Sequence, residues 1–397
     1  MTKVLLYHKQ FTTFLAGGMF QPLIFVSELQ KTCEVTLALN ESCDIAKASE
    51  VAGIPIDTER LKVVLLDPKE GFLTRHPYML SLCRTRKLKH LAKDADVCIS
   101  TANVMDFGKP GHHFIYLLSQ FGGHAFYDHL MQTKGRTGLR RRFRRLCTAL
   151  GENIVKPLLG IRPLKKILAD RRERVYPTSR YVEGIVRTFY GPFNSEVFYP
   201  PTIFDFTRTD IARDPLSVIY IGRIFPPKRI TDIIAIVARA RELSGQDLTL
   251  RIAGKLPPIP YVETLERMAE ERPWLSLIGP VYGKEKEKFM LSAAYALHAE
   301  KDEAFGIAIA EYLKAGNIPL VPDTGGPLEI VDNRSLVFHS NDEAAQTLAR
   351  LLQDADFREE QRRRCAERAK SFTCEAYGER QRNLIARIVE SAKGDNP

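Results

Sequence analysis

Short runs of Val, Ile, Leu and Ala alternate along this chain with longer stretches whose apolar positions recur every three or four residues. The first kind of run fits a strand buried on both faces and the second an amphipathic helix. Strands are predicted at 3–7, 35–39, 62–66, 97–100, 114–118 and 174–176, with helices at 21–31 and 179–189. The segment 199–215 is polar and bounded by prolines, which cannot continue a helix, and is read as an interdomain linker. The alternation then restarts: strand 217–221 and helix 230–243, strand 248–253 and helix 261–271, strand 276–278 and helix 285–291, strand 295–298 and helix 307–315, and strand 318–321. Past 341 the chain reads as helical and charged, ending in a helix over 374–391.

Repeated strand-then-helix units imply α/β architecture with mostly parallel sheets, here as two doubly wound Rossmann-like domains. A length of 397 residues agrees, being too long for one ordinary core and suited to two. Two such domains facing each other would leave a cleft lined by the carboxyl ends of both sheets, so the chemistry is expected in loops that follow strands.

Composition narrows the class. With 44% hydrophobic and 27% charged residues the chain is a folded protein, and no stretch approaches the ~20 apolar residues of a membrane span. The few apolar residues between Lys3 and His8 read as a first strand and not as a signal peptide, so a cytoplasmic location is expected. Seven cysteines lie without CxxC spacing, which indicates neither a zinc site nor a disulfide framework. Net charge is +10, and residues 134–174 alone carry fourteen Lys/Arg against three acids, so the basicity is local.

Three loops carry candidate chemistry. The first ends in Gly17-Gly18 just before a helix, where exposed amides and the helix dipole suit an anion; a plain flexible turn fits equally well. It lacks the Gly-x-Gly-x-x-Gly pattern of a dinucleotide oxidoreductase. The second, 221–229, offers Arg223 as a planar fork for phosphate oxygens and Lys228 as a point charge, or else a solvated surface pair. The third places Glu303 and Glu311 around Phe305-Gly306-Ile307 at a helix start. There Glu303 can accept from sugar hydroxyls and Glu311 from both hydroxyls of a ribose, while the bland alternative is a helix-favouring acid and an exposed helical one.

In order, the Gly-Gly loop, Gly-Arg-x-x-x-x-Lys, Glu-x-Phe-Gly-x-x-x-x-Glu and Gly-Gly-Pro-x-Glu-Ile-Val resemble a retaining GT-B glycosyltransferase of glycosyltransferase family 4. The stretches at 177–182 and 197–201 are also similar to that family, so the likeness covers nearly the whole chain. It implies an acceptor-binding domain at 1–205, a nucleotide-sugar domain at 206–373, and a helix at 374–397 crossing back to the first. It further implies that Arg223 and Lys228 grip the donor diphosphate, that Glu303 touches the sugar, that Phe305, Gly306 and Ile307 supply backbone contacts, and that Glu311 holds the ribose. Gly17 and Gly18 would close on the phosphate, and the nucleobase would lie near Lys255, Val281 and Tyr282. The family carries a histidine after the fifth strand, where this chain has Gln120, with Ser119 or His124 as alternatives. Transfer would retain configuration and use no metal or other cofactor; Asp94-Ala-Asp96 reads as a strand cap, and His112, His113 and His129 as ordinary loop or helix histidines.

Within 134–145 seven of twelve residues are basic and none acidic, and Leu139, Phe143, Leu146 and Leu150 form a helical apolar stripe beside Arg140, Arg141 and Arg144. That pattern suits an anionic membrane face. Few aromatics interleave it, so nucleic acid is not expected as a partner. The reading is a hexosyltransferase that takes GDP-mannose or a UDP-sugar to a lipid-linked glycan at the inner membrane face, in surface polysaccharide or glycoconjugate synthesis. Alternatives are a soluble acceptor, a sugar-nucleotide epimerase, or a non-enzymatic basic binding protein.

Overall fold

The protein's structure, a computed structural model, describes residues 1–11, 20–67, 76–115 and 150–394. Of the expected site residues, Gly17, Gly18, Gln120, Arg140, Arg141, Phe143, Arg144 and Leu146 lie outside the described residues. The chain gathers into two compact units, Met1–Pro201 with Gly378–Pro397, and Thr202–Tyr377.

The first unit holds six strands, β1 (Thr2–His8), β2 (Cys33–Leu39), β3 (Lys62–Leu65), β4 (Val97–Ser100), β5 (His112–Ile115) and β6 (Arg174–Pro177), in the order β3-β2-β1-β4-β5-β6. Every pairing is parallel, with Val4 opposite both Val35 and Val97. The Val4-Leu5-Leu6 run of β1 is fully buried, as a central strand covered on both faces requires. Around the sheet run α1 (Phe20–Leu29), α2 (Ile45–Ala52), α3 (Pro77–Ala92), α4 (Leu164–Ala169) and α5 (Arg180–Tyr190). Local chemistry sets their ends: Asp44 caps α2 through the Lys47 amide, Gly53 ends it at φ 64°, and Ser179 caps α5 through the Val182 amide.

The second unit repeats the winding with β7 (Asp214–Ile221), β8 (Thr249–Ala253), β9 (Leu275–Gly279), β10 (Ala293–Leu297), β11 (Ile318–Pro322) and β12 (Val337–Phe338), in the order β12-β11-β10-β7-β8-β9. Its helices are α6 (Ile230–Ser244), α7 (Pro260–Glu270), α8 (Gly283–Leu291), α9 (Ile307–Lys314), α10 (Pro327–Val331), α11 (Asn341–Gln353) and α12 (Ala355–Ala369). A last helix, α13 (Cys374–Gly394), belongs from Gly378 onward to the first unit, where Leu384 and Ile388 are buried and Arg387 pairs with Glu196.

The segment read as an interdomain linker contains the boundary between the two units, at 201/202, and from Thr202 on it is strapped to the second unit. Thr202 donates to the Phe372 carbonyl at 2.5 Å, Lys314 reaches the Thr202 carbonyl at 2.7 Å and Asp205 at 2.8 Å, and Arg213 donates to the carbonyls of Ala293, Ala315 and Gly316. Prolines signal the end of a helix but say nothing about what the extended chain then binds. His112 and His113 stand on β5 and not on a loop or helix. His113 is fully buried, with Nε2 2.8 Å from Glu173, a carboxylate that also accepts from the Gly111 amide.

In each sheet the winding reverses beside its first strand, at β1/β4 and at β7/β10. Ligands in such folds bind outside the carboxyl ends of the strands at that switch point. In the second unit these ends lead into 222–229 and 298–306.

Candidate functional site

The loop after β7 is shaped by its own aromatic ring. The Tyr220 hydroxyl donates to the Arg223 carbonyl at 3.0 Å, and the Ile221 amide donates to the Tyr312 hydroxyl on α9 at 2.8 Å. A single turn of 3₁₀ helix, Pro226–Lys228, then brings Lys228 inward. Its ammonium donates to Glu300 and to Glu303, both on the loop after β10. The ion pairs therefore join two loops more than seventy residues apart across the switch point.

Two carboxylates and one ammonium, all mostly buried, cannot hold full charge equally. Burial opposes the charge on Lys228, but Glu303 and Glu300 outweigh it and raise its pKa. Burial, together with the neighbouring Glu303, pushes Glu300 upward. Burial presses Glu303 the same way, yet a hydrogen bond from Glu300, the Lys228 charge and His298 hold it below the ordinary carboxylate range. The Lys228 charge is thus favoured beside Glu303, and Glu300 is the member whose charge burial and its neighbour disfavour.

His298, at the end of β10, lies behind Glu303 with Nε2 3.8 Å from its carboxylate. Burial lowers its pKa to about 4. His298, Glu300 and Glu303 offer ligand atoms within 4.8 Å of one another, so this trio could hold a metal ion. An ion there would have to displace the Lys228 ammonium from the two carboxylates.

Buried neutral histidines make stability depend on pH. His298 and His8 have pKa values lowered to about 4 and His112 to about 3, each chiefly by burial. Below the ordinary value of ~6.5 the unfolded chain binds protons that the folded chain refuses, so stability present at pH 7 is lost as pH falls toward 4. At the acid end the loss is on the order of 3 kcal/mol for His298 and for His8 and somewhat more for His112, since every tenfold difference in proton affinity between the folded and unfolded chain is worth about 1.4 kcal/mol. Urea denaturation at pH 7 and pH 5 is expected to show a lower midpoint at pH 5, and the difference shrinks in His298→Gln. An unchanged pH dependence in that variant would contradict the neutral assignment.

The loop 303–306 ends at Gly306, whose φ of 98° lets it cap α9. The Ile309 amide already donates to the Gly306 carbonyl at 2.9 Å, which leaves the Ile307 and Ala308 amides, lacking a helical acceptor, to face an anion. Phe305 turns its ring inward against Phe372 and leaves its backbone to shape the loop. Behind the loop, the Gly326 amide donates to the Glu303 carbonyl at 2.8 Å. A Cβ on Gly325 would lie 2.8 Å from that carbonyl oxygen, and one on Gly326 would lie 2.6 Å from the Phe305 Cα. Only glycine permits this approach, which holds Glu303 and the α9 amides in register.

On α9 itself, Glu311 is 5% exposed and pairs with Lys286 of α8 at 2.6 Å. The Lys286 ammonium also sits 5.1 Å over the Phe204 ring. Val281 and Tyr282 immediately precede α8, with Tyr282 exposed. Lys255 follows β8 and is exposed, as is Arg223. Among the described residues the Arg223 guanidinium has no ion pair, unlike Lys228.

The structure therefore gathers Lys228 with Glu303, sets Phe305, Gly306 and Ile307 at the mouth of α9, and puts Glu311 farther along the same helix. Sequence reasoning missed His298, Glu300 and Lys286. The first two fall on the strand end and loop already singled out as the place for chemistry, a rule that would have found them. Lys286 carried no local signal.

Comparisons with known proteins bear on the fold. Residues 203–372, a little under half of the chain, match the family described as glycosyl transferases group 1. A 144-residue stretch is 25% identical to the phosphatidylinositol N-acetylglucosaminyltransferase GPI3 subunit of Saccharomyces cerevisiae, covering 36% of this chain and 32% of that one. The chain thus matches about a third of the length of these curated relatives. Among solved structures it is similar to HepE of Anabaena in complex with UDP and glucose (TM-score 0.65, 14% identity, 98% of this chain and 100% of that one). It is similar to WaaG, a glycosyltransferase involved in lipopolysaccharide biosynthesis (TM-score 0.64, 14% identity, 96% and 99%). A third is sucrose-phosphate synthase from Thermosynechococcus elongatus (TM-score 0.67, 14% identity, 98% and 100%). The chain has the GT-B fold, and its residues 203–372 form a domain of the glycosyl transferases group 1 type.

Proposed function

We propose that this protein is a retaining, metal-independent hexosyltransferase that moves a sugar from a nucleoside diphosphate to a lipid-linked glycan at the cytoplasmic face of a membrane. The observation that carries the donor site is the joining of Lys228 to Glu303 at the β7/β10 switch point, beside the open N-terminus of α9. A diphosphate placed there would meet Lys228 and the first α9 amides, fixed before it arrives, together with the exposed Arg223, and preorganised charge is what stabilises a departing phosphate. Glu303 then faces the sugar, Glu311 the ribose, and Lys255, Val281 and Tyr282 the base. The departing phosphate oxygen takes the acceptor proton on the same face of the sugar, which keeps the configuration. The family resemblance alone would give Gln120 a role at the reacting carbon and Gly17 and Gly18 one at the phosphate.

Either a UDP-sugar or GDP-mannose would serve as donor. HepE was solved with UDP and glucose, which favours testing uridine first. The lipid-linked acceptor rests on the basic, leucine-bearing stretch with Arg140, Arg141, Phe143, Arg144 and Leu146. WaaG acts in lipopolysaccharide biosynthesis and the yeast relative on phosphatidylinositol, by their names, which is in keeping with such an acceptor.

The test is nucleotide release from UDP-, GDP- and dTDP-sugars with and without membrane lipid extract, in the presence and absence of EDTA. Release of one nucleotide, stimulated by lipid and indifferent to EDTA, is expected. No release from any donor would overturn the transferase reading, and loss in EDTA would overturn the metal-independent part.

A further inference from the structure

The helix α3 carries no acidic residue along its sixteen positions. Leu82, Thr85, Leu88 and Ala92 are buried on one side, and Arg86, His90 and Lys93, at i, i+4 and i+7, are exposed on the other. Among the described residues these three make no ion pair. With Lys109 they line a cavity of about 550 Å³ whose far wall includes Leu159.

Beside α3 lies a helical turn over 150–159. Gly151 packs so closely on Tyr78 that a Cβ there would stand 2.6 Å from the tyrosine oxygen. At the other end Lys89 of α3 donates to the Gly160 carbonyl at 2.5 Å and to Asp106 at 3.0 Å. Arg162 closes the same latch on Asp106 at 2.8 Å. The turn is therefore fixed, yet it holds apolar side chains in solvent: Leu150 is 43% exposed, Ile154 51%, Leu158 80% and Leu159 37%. The spacing of 150, 154 and 158 puts three of them on one side. Two nearby acids are taken by other cations, Asp106 by Lys89 and Arg162 and Glu152 by Lys156 at 2.5 Å; exposed Asp94, next to Lys93, offsets at most one of the charges.

Exposed leucines on a rigid turn, beside a cavity where Arg86 and Lys93 make no ion pair among the described residues, match one surface chemically, acyl chains under phosphate headgroups. We propose that this face, Arg86, His90, Lys93 and Lys109 with Ile154 and Leu158, docks on an anionic phospholipid bilayer, a headgroup phosphate entering the cavity. The proposal deepens the membrane part of the function above and rests on that part alone. Its named residues are different ones from those of 134–146.

Sedimentation with vesicles of phosphatidylcholine, with and without a quarter phosphatidylglycerol, tests it on the full-length chain. Three variants are compared with wild type: Arg86→Glu/Lys93→Glu, Ile154→Asp/Leu158→Asp, and Arg140→Glu/Arg141→Glu/Arg144→Glu. Near an anionic surface each Lys or Arg is worth about 1 kcal/mol, so the first variant is expected to lose at least tenfold in partitioning to anionic vesicles. The second is expected to lose binding that salt does not restore, with thermal melts of both unchanged. Wild-type binding by the first two variants, with loss only in the third, would overturn this docking face while leaving the membrane reading intact. No anionic-vesicle binding by wild type would overturn both.

Discussion

Lys228→Met is expected to lower turnover by about a hundredfold to a thousandfold, the size of effect seen when one preorganised partner of developing charge is removed. The same change leaves Glu300 and Glu303 side by side without their cation. Breaking a buried pair by removing one partner costs about 3–5 kcal/mol, so the melting temperature should fall as well. The two effects separate in Lys228→Met/Glu303→Gln, where one carboxylate charge goes with the ammonium. Stability is then expected to recover and turnover is not. Recovery of both would mean that Lys228 only holds the loops together. Steady-state kinetics alongside calorimetric melts of the three proteins decide between these.

Glu311→Gln is the second large expected effect. The carboxylate is nearly buried and tied to Lys286 at 2.6 Å, so its position is fixed before any ligand arrives. A hydrogen bond to a charged group contributes about 1.5–3 kcal/mol, and a ribose held through both hydroxyls loses most of that with a neutral amide. The affinity for nucleoside diphosphate should drop at least tenfold. The affinity for inorganic pyrophosphate, which lacks a ribose, should stay within twofold. Equal losses for the two ligands, measured by titration calorimetry, would place Glu311 with the phosphates or with the fold.

Much of this architecture was legible because its physics is local. Val4-Leu5-Leu6 and Val218-Ile219 read as central strands since both faces are covered, and Gly306 and Gly325-Gly326 mark sites where a side chain would clash. The third loop could be singled out before its partners were known. What was not legible is pairing between loops distant in sequence. Lys228 and Glu311 were assigned to separate parts of a ligand, but in the ligand-free protein each already holds a protein partner, Glu300 and Glu303 for one and Lys286 for the other. Such pairs arise from the order of strands in the sheet, and no spacing in the sequence records that order. The 199–215 segment was legible as the junction between units but its bonding was not: Thr202, Asp205 and Arg213 are bonded to α9, to carbonyls around it and to the end of the second unit.

Glu300 changes how the donor loop is understood. A second acid beside Lys228 competes for the cation that a diphosphate needs, and burial together with Glu303 weakens that competition by disfavouring the Glu300 charge.

The central claim is that Lys228, the start of α9 and Glu311 together hold a nucleoside diphosphate. A crystal structure of the full-length chain with UDP or GDP tests it most directly. The account predicts phosphate oxygens within hydrogen-bond distance of Lys228 and of the Ile307 amide, with the ribose hydroxyls on Glu311. A nucleotide bound elsewhere, with the Lys228, Glu300 and Glu303 cluster untouched and α9 empty, would contradict it.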